Sequence, residues 1–412
     1  MVGLTGVDER RCLGVRTVAA TVSGQKRHSS LVKIATLDIV GDISGQNRRR
    51  GEGLKKTVVG GRAAQGESTT MSLSSSMSLL LFSAIILLLT TCKSSTVNTS
   101  LARHRYLTVD YYAKSCPRLE QIVASVTSKS FKFTPATAPA TIRLFFHDCF
   151  VQGCDASILI SKKPGSEPSP EKESDDNKEI RGGAYDVIQK AKAKVERKCP
   201  GVVSCADILA LAARDFIHLA GGPYYPVKKG RWDGKQKPKA SLVYSNIPHE
   251  NSTVDNLLEL FLSKGLTLND MVVLSGAHSI GFAHCKHFEN RLYNFQGTNK
   301  PDPDMDPRLL KSLIMSCPQH GGSNGVVAPF DAITPFTFDN AYYQNLQAKL
   351  GLLATDKALY LDPRTKPLVQ KLANDKNMFF QEFSSAMERL GNVGVKRGKK
   401  HGEIRRVCNM HL

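Results

Sequence analysis

The sequence lacks any apolar run long enough to cross a membrane as a helix. Its longest run, Leu79–Leu89, has 11 residues, whereas a spanning helix needs about 20. The run therefore argues against a stable membrane anchor and instead matches the hydrophobic centre of a secretory signal peptide. Small and polar residues follow from Thr90 to Ser100, so we interpret residues 71–100 as a signal peptide with its cleavage region.

Acidic residues are scarce relative to basic ones. The chain has 56 Lys+Arg against 37 Asp+Glu, a formal charge of +19, and from residue 101 onward 43 against 31, which is +12. Such a charge attracts anionic partners. A basic helix or a basic patch with interleaved aromatic residues is missing from the sequence, which argues against nucleic acid. We expect an acidic cell-wall polysaccharide as partner, although most lysines fit a dispersed, solvated surface.

The first 70 residues have little sustained periodicity. They hold 12 Lys+Arg against 6 Asp+Glu, with a cluster at Arg48-Arg-Arg50. A signal peptide normally lies at the N-terminus, so we favour translation from Met71, with residues 1–70 an artefact of the gene model. An organelle transit segment is the alternative, but such segments contain fewer acidic residues. We expect the mature domain to occupy 101–412 and to begin near Leu101.

No strand-rich stretch competes with the helical patterns, and no internal repeat appears, so the sequence predicts a mainly α fold. Ser204 and Thr267 have the spacing of helix starts, and Gly221-Gly-Pro223 predicts the end of the first of these helices. The polar, proline-containing segment 162–176 predicts a surface loop.

Ser252 is predicted to cap another helix. The apolar residues that follow it at i, i+3, i+4 and i+7 spacing form one helix stripe: Val254, Leu257, Leu258 and Phe261.

Ten cysteines are present, and two of them, Cys12 and Cys92, lie in the parts expected to be absent from the mature protein. The remaining eight predict four disulfides in an oxidising compartment, but eight cysteines allow 105 pairings. Free thiols in a cytosolic protein are the alternative. The signal-like run and the glycosylation acceptor Asn251-Ser-Thr253 disfavour it. A second acceptor, Asn98, lies in the leader.

Arg143 and His147 occur in the run 141–150, Thr-Ile-Arg-Leu-Phe-Phe-His-Asp-Cys-Phe. Residues four apart lie on one face of a helix, so a fixed cation would sit beside a titratable base. That pair suits cleavage of a polarisable bond, because imidazole moves a proton while guanidinium stabilises charge on a leaving oxygen. The spacing alone is more typical of a helix face with an accidental histidine.

Two further motifs accompany this pair. They are 148–157, Asp-Cys-Phe-Val-Gln-Gly-Cys-Asp-Ala-Ser, and 274–281, Leu-Ser-Gly-Ala-His-Ser-Ile-Gly. Together they resemble the secretory plant (class III) haem peroxidases, the horseradish type, over the chain from about Tyr106 to the C-terminus. The resemblance implies a mainly α haem peroxidase fold, with two helical halves, the haem between them and four disulfides.

The resemblance also implies the catalytic roles. His278 would be the proximal ligand of haem b, and Asp356 would accept the N–H of that ring. On the distal side His147 would move the proton of hydrogen peroxide, Arg143 would stabilise the developing charge, and Asn177 would hold the base tautomer.

Two Ca²⁺ sites are implied in the same way, each formed by hard oxygen ligands. The distal set comprises Asp148, Val151, Gly153, Asp155 and Ser157, with Glu171 acting through water. The proximal set comprises Ser279, Asp331, Thr334, Thr337 and Asp339. Without the resemblance, the distal cluster is equally typical of a solvated turn.

The family pattern assigns the cysteine pairs Cys116–Cys199, Cys149–Cys154, Cys205–Cys408 and Cys285–Cys317. Pro248 matches the residue beside the aromatic donor, and His287 stands where the best-known relative has phenylalanine. Gly183 and Ala184 form a two-residue insertion, so the backbone near them is expected to differ from the family.

The expected function is reduction of hydrogen peroxide to water with one-electron oxidation of small phenolic donors. We expect a secreted monomer of the cell wall or extracellular space, with the vacuole as the alternative. A wall-binding glycoprotein with little turnover is a competing hypothesis, which the complete catalytic set disfavours. An intracellular ascorbate-type peroxidase is disfavoured by the signal-like run and the paired cysteines.

Overall fold

The computed structural model describes residues 107–162, 165, 167–319 and 325–410. The predicted extension 1–70, the signal peptide 71–100 and the expected start near Leu101 lie outside these residues. The same holds for Cys12, Cys92 and Asn98.

The described part of the chain is mainly helical, as predicted. Its α-helices are α1 Leu119–Phe133, α2 Thr137–Val151, α3 Asp175–Lys178, α4 Ala184–Glu196, α5 Cys205–Leu219, α6 Val254–Ser263, α7 Leu268–Ser275, α8 Glu289–Tyr293, α9 Pro307–Ser316, α10 Ala341–Gln347, α11 Ala354–Leu361, α12 Lys366–Asn374, α13 Lys376–Leu390 and α14 Gly398–His401. None of the helices in the described ranges is both long and apolar enough to cross a membrane.

Four short strands form two antiparallel pairs. Strand β1 (Asp233–Gly234) pairs with β4 (Gly402–Glu403), which joins the middle of the chain to its C-terminal part. Strand β2 (Phe282–His284) pairs with β3 (Val327–Pro329). Because β2 begins shortly after the predicted haem ligand His278, this second pair holds that segment in place.

Most predicted helix boundaries are confirmed. The Ser204 hydroxyl caps α5 by accepting a hydrogen bond from the Asp207 amide at 3.1 Å. Thr267 and Asp270 form a capping box at the start of α7. Helix α5 ends at Leu219, and Gly221 follows with a φ of 102°, a conformation that favours glycine.

The predicted cap at Ser252 is wrong by one residue. Thr253 caps α6, because its hydroxyl accepts the Asn256 amide at 3.2 Å. The Ser252 hydroxyl instead accepts the His249 amide at 3.3 Å. Two adjacent hydroxyl residues offer equivalent caps, so sequence alone could not choose between them.

Of the two inserted residues, Gly183 lies in the turn before α4 and Ala184 is the first residue of that helix. Gly182 and Gly183 have φ values of 72° and 79°. A Cβ added to Gly182 would lie 2.7 Å from the Ala136 carbonyl oxygen. The turn therefore packs against the start of α2, and this close approach requires glycine at position 182.

The described residues of the segment 162–176 are irregular before Glu171, as predicted, but the segment is ordered from Glu171 onward. A 3₁₀ turn spans Glu171–Glu173, and α3 begins at Asp175. The Glu171 side chain is fully buried, so this residue is not part of a solvated surface loop.

Four disulfides link the described chain, and their pairing is the one that the resemblance implied: Cys116–Cys199, Cys149–Cys154, Cys205–Cys408 and Cys285–Cys317. The Cys205–Cys408 bond ties α5 to the C-terminal segment. The Cys149–Cys154 bond closes the short loop that follows Arg143 and His147.

Candidate active site

Helix α2 is buried on nearly every side, including at polar positions. His147 is 5% exposed and Asp148 only 1%. Burying an ionisable side chain costs free energy unless hydrogen-bonding or oppositely charged partners compensate for the lost water. The presence of such side chains in an otherwise apolar helix therefore indicates a functional cluster, and the helical spacing brings Arg143 and His147 together as predicted.

Hydrogen bonds fix the tautomer of His147. Its Nδ1 lies 2.7 Å from the Asn177 side-chain oxygen, which can only accept, so Nδ1 carries the proton. The Asn177 amide nitrogen in turn donates to the Glu171 carbonyl at 2.8 Å. Arg143 Nε donates to His147 Nε2 at 3.2 Å. Both hydrogen bonds of the ring therefore indicate that Nε2 is the unprotonated nitrogen.

Electrostatics keep His147 neutral. Burial, together with the positive charge of Arg143, lowers the pKa of His147 to about 3. The hydrogen bond to Asn177 opposes this shift without cancelling it. At neutral pH the ring is therefore a free base whose unprotonated nitrogen faces a guanidinium.

His278 lies in a 3₁₀ turn, Gly276–Ser279, that continues directly from α7. A Cβ added to Gly276 would lie 2.5 Å from the Tyr343 hydroxyl oxygen, so the turn needs glycine there. That hydroxyl donates to the last carbonyls of α7, Val272 and Val273, each at 3.1 Å. The end of α7 is thereby held against α10, which fixes the position of the histidine.

Asp356, in the first turn of α11, orients the His278 ring. His278 Nδ1 lies 2.9 Å from Asp356 Oδ1, and the Tyr342 hydroxyl donates to the same oxygen at 2.9 Å. The Leu353 amide donates to Oδ2 at 2.8 Å. Burial opposes ionisation of Asp356, but His278 and these donors hold its pKa below the ordinary value. The carboxylate therefore accepts a hydrogen bond from Nδ1–H of His278. The lone pair of that ring is then on Nε2.

The two histidine segments are close neighbours. Gly281, just after His278, has a φ of 106°, and a Cβ added there would lie 3.0 Å from the Cβ of Pro139 in α2. The Phe330 ring stacks on His278 with centroids 4.0 Å apart. One imidazole held by a carboxylate thus lies near a helix that carries a second imidazole and a guanidinium, which are the side chains that the resemblance assigns to a haem site.

Comparison with known proteins decides the family. The peroxidase family matches residues 123–375. The chain is 62% identical to Peroxidase 19 of Arabidopsis thaliana over 309 residues, covering 75% of this chain and 89% of that protein. It is 48% identical to Peroxidase 55 of the same plant over 303 residues, covering 74% and 90%. This chain belongs to the peroxidase family. It is a haem-dependent enzyme that reduces hydrogen peroxide.

In this peroxidase, the predicted distal oxygen ligands form one buried cluster. Asp148 Oδ2 accepts the Ala156 amide at 2.9 Å, and Asp155 Oδ1 accepts the Ser157 amide at 3.1 Å. The Ser157 hydroxyl and both carboxylate oxygens of Glu171 are buried without a hydrogen-bond partner. Burial and the neighbouring Asp155 raise the pKa of Glu171 to about 8. Unpaired buried acceptors beside carboxylates are what a bound cation would satisfy.

Val151 and Gly153 lie in the same loop and would contribute carbonyl oxygens. Gly153 has a φ of 97°, and a Cβ there would lie 2.5 Å from the Gly394 carbonyl oxygen. This contact anchors the loop to the segment after α13.

The predicted proximal oxygen ligands also come together. The Ser279 hydroxyl donates to the Thr337 carbonyl at 3.1 Å and accepts the Asp339 amide at 2.8 Å. The Thr334 hydroxyl lies 3.2 Å from an oxygen of Asp331 and 3.1 Å from one of Asp339. Within the described ranges, no three His, Cys, Asp or Glu side chains form a metal group by themselves. Both predicted sets combine carboxylate oxygens with hydroxyl and carbonyl oxygens.

Pro248 lies beside a pocket of about 450 Å³ that His249 and Glu250 line, together with His287 from the turn after β2. Sequence reasoning singled out Pro248 and His287 but missed the carboxylates that hold His287, namely Glu179 and Glu250. It also missed Tyr342. No motif identifies these residues, because each reaches its partner only through the fold.

Proposed function

We propose that this peroxidase is exported and uses hydrogen peroxide to oxidise small phenolic donors by one-electron steps. The proposal rests on the two hydrogen bonds of the His147 ring, one at each nitrogen. Its Nδ1–H is held by Asn177 while its Nε2 faces Arg143. A neutral base beside a fixed cation suits heterolysis of an O–O bond.

In the proposed mechanism, Nε2 of His147 would accept a proton from one oxygen of hydrogen peroxide and deliver it to the other, while haem, when bound, would supply the two electrons for the cleavage and keep the remaining oxygen. Arg143 stabilises the negative charge that develops on the departing oxygen, which leaves as water. Asn177 keeps the ring in the tautomer that can accept. Since the base is already neutral at physiological pH, no proton need leave it before each turnover.

His278 would hold the haem through Nε2, because Asp356 fixes the proton on Nδ1. When bound, haem supplies the redox-active iron for peroxide reduction and donor oxidation. The hydrogen bond from Nδ1 to a buried carboxylate makes the imidazole a stronger electron donor. Tyr342 and the Leu353 amide keep that carboxylate in place and ionised.

Export to the cell wall or extracellular space is supported by the signal-like run Leu79–Leu89 and by four disulfides. The acceptor Asn251 is exposed, as N-glycosylation requires. The vacuole remains the alternative destination. We propose a monomer without nucleic-acid or membrane partners, whose excess positive charge favours acidic wall polysaccharides.

The test uses the mature chain folded with haem. We expect guaiacol oxidation that requires hydrogen peroxide and consumes two molecules of guaiacol for each peroxide, since each donor gives one electron. A protein that binds haem but oxidises no phenol would refute the proposed donor class.

We also propose that both oxygen clusters bind Ca²⁺. The distal cluster buries three carboxylates, those of Asp148, Asp155 and Glu171, and burial raises the pKa of each. A divalent cation would offset both their desolvation and their mutual repulsion. Because Asn177 bonds to the Glu171 backbone, this cluster also supports the position of His147.

Calcium removal should therefore destabilise the haem-loaded protein. Free Ca²⁺ at about one hundred times its dissociation constant stabilises a folded protein by about 2.7 kcal/mol. We expect chelation to lower the melting temperature by roughly 5 °C or more and elemental analysis to find two calcium ions per chain. Differential scanning fluorimetry with and without chelator measures the shift.

Asp148→Asn should reduce the effect of chelation, because it removes one distal carboxylate. Asp186→Asn, at an exposed position of α4, is the matched control and should behave as wild type. A melting temperature that does not respond to chelation would contradict both calcium sites.

A further inference from the structure

Residues with polar side-chain groups line the pocket beside Pro248. Its lining residues that carry ionisable groups are Asp176, Tyr244, His249, Glu250, Lys286 and His287. The volume of about 450 Å³ lies within the usual range for small-molecule sites.

His287 is held between two carboxylates from different segments. Its Nε2 lies 2.9 Å from Glu179 Oε2, and its Nδ1 lies 3.5 Å from Glu250 Oε1. Lys286 also pairs with Glu179. The ring thus lies within ion-pair distance of Glu250, whose side chain remains 31% exposed. A carboxylate accepts more hydrogen bonds than the one that His287 occupies, so Glu250 can still accept from a ligand.

An aromatic wall stands beside this carboxylate. The rings of Tyr244 and His249 lie 4.0 Å apart, and Tyr244 is 69% exposed. Both residues line the pocket with Glu250. A flat aromatic ring next to an anchored carboxylate offers stacking for a phenol and an acceptor for a polar or cationic substituent.

The pocket also faces the reaction site. Arg143 Nη2 lies 3.4 Å from the carbonyl oxygen of Asp176, which lines the pocket. The side chains of Asp176, Glu179 and Glu250 attract the Arg143 guanidinium. Glu179 pairs with Lys286 and His287, and Glu250 lies 3.5 Å from His287, so carboxylates offset the positive charge of the basic side chains that line the pocket.

We propose that Glu250 is a specificity-determining residue that favours phenolic donors bearing an ammonium or hydrogen-bond-donating substituent and disfavours those bearing a carboxylate. This inference rests on the proposed function, because it assumes that phenols bind beside Pro248. His287 is a positioning residue in this account, since it fixes the carboxylate.

The test compares three phenols that share a para-alkyl skeleton and differ in charge: tyramine, p-cresol and 4-hydroxyphenylacetate. In haem-loaded Glu250→Gln we expect the second-order rate constant for tyramine to fall about fivefold relative to p-cresol, the effect of removing one partly exposed charge contact. That for 4-hydroxyphenylacetate should rise relative to p-cresol.

Glu259→Gln is the matched control, because Glu259 lies at an exposed position of α6 and its substitution removes the same charge. Equal donor ratios in wild type and Glu250→Gln would overturn the specificity assignment alone, as would the same shift in the control. Failure of the wild-type protein to oxidise even p-cresol would overturn the proposed function with it. The proteins should be made without glycans, since Asn251 also lines the pocket.

Discussion

His147→Ala is expected to slow the reaction with hydrogen peroxide by about a thousandfold, the typical effect of losing a positioned acid–base group. The structure gives the reason. Nε2 of His147 is the unprotonated ring nitrogen, and Asn177 holds the opposite N–H at 2.7 Å. Without the ring, the peroxide proton must go to solvent from a buried site. Stopped-flow absorbance at the haem band measures the rate constant.

The control for this substitution is His401→Ala, at an exposed position of α14. Haem content and the absorbance of the resting protein should match wild type in both variants, because His147 does not hold the haem. If His147→Ala with full haem content reacted within threefold of the wild-type rate, the distal base would have to be another group.

His278→Ala is expected to remove haem from the protein. Loss of a group that merely orients a metal ligand typically lowers affinity ten- to a hundredfold, so loss of the ligand should cost more than about a hundredfold. We expect the purified variant to be nearly colourless and without peroxidase activity. Hemin titration followed by absorbance gives the affinity.

Two measurements separate this effect from misfolding. Far-UV circular dichroism should show the helical content of the wild-type apoprotein. Free imidazole, which can occupy the space left by the ring, should restore part of the haem binding. Asp356→Asn should keep the haem but bind it less tightly, because a neutral amide is a weaker acceptor for the N–H of His278. An undiminished hemin affinity in His278→Ala would exclude this histidine as ligand.

Local chemistry made part of this site predictable. Helical periodicity alone places Arg143 and His147 on one face, because residues four apart are neighbours on a helix. The caps at Ser204 and Thr267 were also readable, since each hydroxyl bonds within its own helix start. Interactions of this kind depend on a few neighbouring residues and need no knowledge of the fold.

Long-range contacts were accessible only through the resemblance to a family. His278 and Asp356 are 78 residues apart, and Cys205 and Cys408 are 203 apart. Nothing in the local sequence pairs them, and eight cysteines allow 105 arrangements. These pairs were predicted from the match of residue types to the family's motifs, and physical rules alone could not have predicted them.

The contacts particular to this chain were not predictable by either route. Glu179 and Glu250, which lie in separate segments, both contact His287. The family pattern flagged only that His287 replaces a phenylalanine. Its two carboxylate partners depend on the conformation of irregular segments, which neither periodicity nor motif spacing determines.

The most direct test of the central claim is titration of the correctly oxidised wild-type apoprotein with hemin. The account predicts saturable binding of one haem per chain, with a spectrum that His278→Ala does not reproduce, and peroxide-dependent activity that rises in proportion to bound haem. Wild-type protein that stays colourless, or that gains colour without gaining activity, would contradict it.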